Sequence, residues 1–124
     1  MPEQSGALKV ALAALDAAGG VLALANPEGA DIIVKRIILD VTTKSTAACT
    51  VDAGIAANGT TSNDTLLDGL DVGTAAGVFD NIENQGTNGV GAKKWTSAQY
   101  LTISKATGAA AGLVGNAYIE YARV

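Results

Sequence analysis

Few side chains in this sequence could do chemistry. It has no histidine and one cysteine, Cys49, and residues 45–92 hold neither lysine nor arginine. Nucleophilic catalysis of the Ser-His-Asp or Cys-His kind needs a base beside the nucleophile, and no histidine is there to serve. Cys49 falls in the apolar alternation Cys49, Val51, Ala53, Ile55 and reads as a small buried hydrophobe. A lone cysteine also excludes an intrachain disulfide. The run GTNGVG at residues 86–91 is neither a dinucleotide fingerprint nor a phosphate loop, because no lysine stands where one is required. Gly108, Gly112 and Gly115 have small-xxx-small spacing, but no membrane helix carries them. We expect a chain that binds or builds rather than an enzyme.

Carboxylates are the abundant functional groups. Residues 45–92 contain Asp52, Asp64, Asp68, Asp71, Asp80 and Glu83. Asp64, Asp68 and Asp71 are the best metal candidates, since oxygen ligands on a flexible loop suit calcium. Their spacing matches no EF-hand, and Asp and Asn also stabilise turns by bonding their own backbone. Turn chemistry is therefore the reading, with no metal and no cofactor. A carboxylate pair for glycoside hydrolysis would want an aromatic platform, and Trp95 is the one tryptophan. Its ring reads as a core or subunit contact, with sugar stacking as the other use. Asn58-Gly-Thr60 and Asn63-Asp-Thr65 match the glycosylation pattern, which has meaning only in a secreted chain. The last third is cationic, but Lys93-Lys94 is no dense basic footprint, so direct nucleic-acid binding is not expected.

These groups need a frame. At 124 residues the length fits one domain. A core is possible, but 48% apolar content made largely of alanine, with one Phe, one Trp and three Tyr, makes it thin. Oligomerisation or packing on a larger assembly would supplement it. The start MPEQSGALKV lacks the basic region of a secretion signal, and no stretch reaches the ~18 apolar residues of a membrane span. The expectation is a soluble chain made in the cytoplasm, with residues 1–6 a flexible arm and residues 7–124 a single β-sandwich domain.

Residues 7–18 fit a helical stripe through Leu8, Leu12 and Leu15. They fit equally a strand through Val10, Leu12 and Ala14 that turns at residues 16–20 into residues 21–25. The strand is preferred because the segments after it are clearly β. Asn26-Pro27-Glu28-Gly29 is a turn. IIVKRIILDVTT, residues 32–43, is the best strand. Simple alternation puts Ile33, Ile37, Leu39 and Val41 on one face and Ile32, Val34, Ile38, Arg36 and Asp40 on the other. Apolar residues on both faces suggest a second contact beyond the core. Residues 48–56 alternate cleanly and read as an antiparallel hairpin with this strand. Residues 57–92 make a long loop segment with turns at Asn58-Gly59 and Asn88-Gly89 and short strands near residues 66–67 and 78–82. Its apolar anchors include Leu66, Leu67, Leu70, Val72, Val78, Phe79 and Ile82. Residues 95–105 form a strand with Leu101 and Ile103 inward. Residues 113–124 close the domain with Ala117, Ile119 and Tyr121 on one face. Short strands and glycine-rich turns argue an all-β fold, a β-sandwich or jelly roll with long small-residue loops.

Residues 26–43 (NPEGADIIVKRIILDVTT), 61–81 (TSNDTLLDGLDVGTAAGVFDN) and 99–121 (QYLTISKATGAAAGLVGNAYIEY) together resemble small structural proteins of tailed bacteriophages. These are head decoration, or cement, proteins with β-sandwich or jelly-roll folds. The resemblance spans roughly residues 20–122 and is one of texture, without a diagnostic motif. It implies a non-enzymatic virion protein on the outer capsid surface, bound to the major capsid protein as a homotrimer, with no nucleic-acid or membrane partner. Under it the residues that matter are contacts: Arg36, Asp40, Tyr118 and Tyr121 on strands; Asp64, Asp68, Asp71, Phe79 and Asp80 in loops; and Lys93, Lys94 and Trp95 as a further patch. The alternative is a carbohydrate- or receptor-binding module of a phage fibre or adhesin, using a ring near Trp95 and Tyr100.

Overall fold

A computed structural model describes residues 4–124. The strands are β1 (Ser5–Ala11), β2 (Leu22–Ala25), β3 (Ile32–Thr43), β4 (Cys49–Ala56), β5 (Leu67–Asp71), β6 (Gly77–Asp80), β7 (Lys93–Trp95), β8 (Tyr100–Gly108) and β9 (Val114–Arg123). They form two antiparallel sheets. Sheet A runs β1-β9-β3-β6, with β7 also paired to β3, and sheet B runs β2-β8-β4-β5. With β7 set aside, the pairs β1·β9, β2·β8, β3·β6 and β4·β5 are those of one long hairpin rolled over on itself. That nesting is a jelly roll, and the two sheets pack face to face as a β-sandwich.

The β3 strand shows how the sequence writes this fold. Its register against β9 passes from Val34↔Tyr121 directly to Arg36↔Glu120, leaving Lys35 as an extra residue in a bulge. A bulge shifts side-chain phase by one. Ile32 and Val34 before it, and Ile37, Leu39 and Val41 after it, therefore all point into the core, each at most 1% exposed. Simple alternation places Ile32 and Val34 on the outer face with Arg36, and the bulge corrects this. The correction accounts for much of the two-sided apolar character of this segment, since only Ile33 and Ile38 remain half-buried outside. The bulge also divides the far edge of β3: Ile32–Val34 pair with β7 and Ile38–Val41 pair with β6.

Between the sheets lie Trp95, Leu66, Leu67, Leu101, Ile103 and Ile119 with the β3 residues. As expected, Leu101 and Ile103 of β8 and Ala117, Ile119 and Tyr121 of β9 face inward. The expected β3–β4 hairpin and the expected turn from the first strand into residues 21–25 are sheet crossings instead. β3 and β4 lie in different sheets, because their apolar faces meet across the core rather than edge to edge. The crossing is tied down by buried Ser45, whose backbone N–H donates to Val72 O at 3.1 Å. β1 and β2 likewise belong to sheets A and B. The first strand stops at Ala11, short of the expected path through Leu12 and Ala14. The expected arm begins outside the described residues at 1–3, while Ser5 and Gly6 pair with Ala122 and Tyr121.

The two outer faces differ. On sheet B, residues 12–20 and 57–65 lie over the strands. Gly19 N donates to Ser104 Oγ at 2.8 Å, and Thr102 Oγ1 donates to Thr61 O at 2.9 Å. At Gly54 the approach is so close that a Cβ would stand 2.1 Å from Asn63 Oδ1. Thr102, Ser104 and Gly54 are consequently buried on an outward-facing surface. No such cover lies over the outer face of sheet A among the described residues.

Candidate functional site

The sequence-predicted contact residues fall into three groups. Arg36, Asp40 and Tyr118 share the open outer face of sheet A with Asp80, which is buried there, 9% exposed, and so offers little surface for contact. Rows across the strands set Lys9 beside Tyr118, Ile38 and Asp80, and set Asn116 beside Asp40 and Val78. Arg36 pairs with Asp80 at 2.5 Å and stands opposite Glu120, while Lys9 Nζ lies 6.0 Å from the Tyr118 ring centre. The Asp80 carboxylate also accepts from Ile82 N and Glu83 N. Those backbone donors, Glu83's above all, and the Arg36 guanidinium hold it below the usual carboxylate range. The face carries both charge signs interspersed around one aromatic ring.

A second group surrounds the open end of the sandwich, where β5 and β6 are the outer strands of their sheets. Gly69 adopts φ +76, a left-handed conformation natural to glycine, and makes a bulge in β5. Its N–H donates to Asp52 Oδ1 at 2.8 Å. Asn88 ties the acids together: its N–H donates to Asp68 Oδ2 at 3.2 Å and its amide to Asp64 Oδ2 at 2.9 Å. Burial raises the Asp52 pKa, and the charges of Asp68 and Asp64 raise it further. At the far end of β5, Asp71 accepts from Thr74 Oγ1, Gly73 N and Thr74 N at 2.6, 2.8 and 3.1 Å. These bonds, Thr74's hydroxyl first, lower its pKa. Asp68, Gly69, Leu70, Asp71, Phe79, Asn84 and Gly86 line a groove of about 260 Å³. Phe79 is half-buried and packs against the core. Its neighbours Val78 and Ile82 are 68% and 53% exposed, so they are not the interior anchors their apolar character suggested.

The third group is β7. Lys94 pairs with Asp31 at 3.6 Å, but Trp95 is fully buried and its Nε1 donates to Gln99 O at 2.9 Å. Tyr121 is likewise 3% exposed, with its hydroxyl donating to Glu28 Oε2 at 2.6 Å. As contact residues these two are corrected: both rings are spent on the core of the monomer. Trp95 is thereby unable to stack on a sugar, and Tyr100 is half-buried against Gly59.

Sequence reasoning passed over Asp52, which reads as a simple outward strand residue until the bulge brings Asp68 to it. It also missed Glu28, whose carboxylate is reached by Tyr121 and Arg123 from more than 90 positions away. Among the described residues, no three His, Cys, Asp or Glu side chains are grouped to hold a metal ion. Among these same described residues, no helix is long and apolar enough to cross a membrane. What the surface offers is a mixed-charge sheet face, and an acid-rimmed groove with Phe79 in its lining.

No protein-family model matches the sequence, and no curated protein matches it. The fold is similar to that of a chain in the solved structure of the capsid of Ralstonia phage GP4. The TM-score is 0.63 at 21% identity, and the match covers 100% of this chain and 89% of that one. At that identity the likeness is one of fold, and it spans the whole of this chain.

Proposed function

We propose that this chain is a non-enzymatic structural protein of a tailed-phage virion. It decorates the outer surface of the capsid, binds the major capsid protein and acts as a trimer, after synthesis in the host cytoplasm. The observation that carries the reading is the full-length fold likeness to a chain of a phage capsid, which agrees with the resemblance in residues 26–43, 61–81 and 99–121. Physical features support it. A jelly roll is stiff, its sheet A presents a broad uncovered face, and its surface chemistry is suited to contact. Decoration needs many modest contacts added by repetition over a shell, and a bound shell is stabilised by mass action. Mixed charges such as Arg36, Asp40 and Glu120 on the open face would set register more than affinity.

Two measurements test it. Light scattering on the purified protein should give three times 12.3 kDa. Sedimentation with empty shells of the major capsid protein from the same genome should carry the protein down at a fixed, saturable ratio to shell subunits. A protein that stays in the supernatant at all concentrations defeats the decoration reading. A monomer that nonetheless sediments with shells removes only the trimer.

A further inference from the structure

We propose that the groove between β5 and β6 is a docking site for an extended, basic segment of a partner protein. The segment would add its backbone to the open edge of β5 and lay a Lys or Arg side chain over Phe79, between Asp68 and Asp71.

The open edge comes first. The inner side of β5 is paired to β4. Its outer side is partly occupied by the loop at residues 85–90: Asp68 N donates to Gln85 O at 2.9 Å, and Val90 N donates to Thr65 O at 2.9 Å. That cover ends at Asp68. Beyond it, Val72 N donates inward to Cys49 O at 3.0 Å, so by the alternation of an antiparallel ladder the N–H and C=O of Asp71 point outward. A strand edge left open in this way is a template for strand addition. The floor comes second. Leu70 and the half-buried Phe79 give the groove of about 260 Å³ an apolar base, large enough for one long side chain. Charge selects the occupant. Asp68 and Asp71 line the groove, Asp64 is tied to Asp68 through Asn88, and the ion pairs among the described residues include none of these acids. An acidic strand would meet repulsion, and a purely apolar one would bring no charge to offset the rim carboxylates, whose partners are neutral backbone and hydroxyl donors. A guanidinium or ammonium gains both carboxylates and the aromatic face.

The test uses the whole protein, labelled with nitrogen-15, and a capped six-residue peptide of alternating arginine and valine. The same peptide with glutamate for arginine is the control. Amide shifts should concentrate at Gly69, Leu70, Asp71, Phe79 and Gly86, and the glutamate peptide should give none. The double variant Asp68→Asn, Asp71→Asn should weaken binding about tenfold, as loss of close charge partners does. Asparagine can still accept the Gly73 and Thr74 bonds, so the turn survives. Asp40→Asn, on the outer face of sheet A, should bind as the parent does. The proposal fails if shifts are absent or spread evenly over the surface. It fails equally if the glutamate peptide binds as well, or if Asp40→Asn loses as much as the double variant. Shifts at the same amides on raising protein concentration alone would assign the groove to a second copy of this chain and overturn the proposal. Peptide binding is read without capsid shells, so its outcome is separate from the decoration reading.

Discussion

Asn81 completes the edge of β3 opposite β9 at Ile37, where neither β6 nor β7 pairs. Its Oδ1 accepts from Ile37 N at 2.9 Å, its own N–H donates to Ile37 O at 3.3 Å, and its Nδ2 donates to Val90 O at 2.9 Å. Ile37 lies just past the bulge, between the β3 residues paired to β7 and those paired to β6. A side-chain amide thus stands in for a missing stretch of strand, fully buried.

Replacing Asn81 by Ala should leave the Ile37 N–H buried without a partner, at a cost of about 1–3 kcal/mol. Urea unfolding, monitored by the fluorescence of Trp95 (buried when folded), should show a lower midpoint with an unchanged slope. An unchanged midpoint would mean that water replaces the amide there.

Glu28 links acid stability to the far end of the chain. Arg123 Nε donates to it at 2.8 Å and Tyr121 Oη at 2.6 Å, and these bonds, Arg123's first, lower its pKa from 4.5 to about 2. A depressed carboxylate stabilises the fold fully above its unfolded pKa and loses that stabilisation as pH falls through the folded one. The Glu28 contribution should therefore be present above pH 4.5 and vanish by about pH 2. Glu28→Gln should lower the urea midpoint at pH 7 and converge with the parent near pH 2. Some acid sensitivity should remain in the variant, because Asp71 and Asp80 are depressed too. Parallel pH curves for parent and variant would contradict the linkage.

Asp52 has the opposite sign. Burial, with Asp68 and Asp64 nearby, raises its pKa, so its ionised form costs stability at neutral pH and the cost is relieved as pH falls through the raised value. Asp52→Asn keeps an oxygen for the Gly69 N–H and removes the charge. It should raise the unfolding midpoint at pH 7 and leave it unchanged at pH 3, where the parent carboxyl is protonated. A lower midpoint at pH 7 would show that the charge strengthens the Gly69 bond by more than its burial costs.

Much of this architecture is legible in the sequence, for identifiable reasons. The inward faces of β8 and β9 obey period-two alternation, and Leu101, Ile103, Ala117 and Ile119 can be assigned from it. In residues 57–92 the Asn-Gly dipeptides mark turns, and the two short strands expected among them are β5 and β6. The β3 face assignment fails at Lys35 because a bulge leaves no mark in composition: IIVKRIIL reads equally well in either phase. The hairpin between β3 and β4 fails because a short turn is compatible with pairing and with crossing, and the choice is made by β8 and β9, which come later in the chain. Site residues divide the same way. Asp68, Asp71 and Phe79 do line one groove, with Asp64 tied to Asp68 through Asn88, whereas Trp95 and Tyr121 are drawn inward because a core with so few aromatic rings uses the ones it has. The Glu28 network is invisible locally, since its partners lie at the opposite end of the sequence.

The Lys35 bulge gives the sharpest test of the fold. Deleting Lys35 should force either Ile32 and Val34 or Ile37, Leu39 and Val41 to the outer face, since an uninterrupted strand has a single phase. Exposing even the smaller set forfeits about 1.5–3 kcal/mol per side chain, a large part of the roughly 5–15 kcal/mol that holds a domain together. The deletion variant should lose its cooperative unfolding transition. Lys35→Ala retains the extra residue and removes only an exposed side chain, so it should stay within about 0.5 kcal/mol of the parent. Deleting Thr42, the second extra residue against β9, should be milder, because only Thr43↔Val114 lies beyond it in the ladder. Circular dichroism and urea unfolding of the three variants separate the cases. If the Lys35 deletion unfolds cooperatively near the parent midpoint, the phase shift is not what places Ile32 and Val34 in the core.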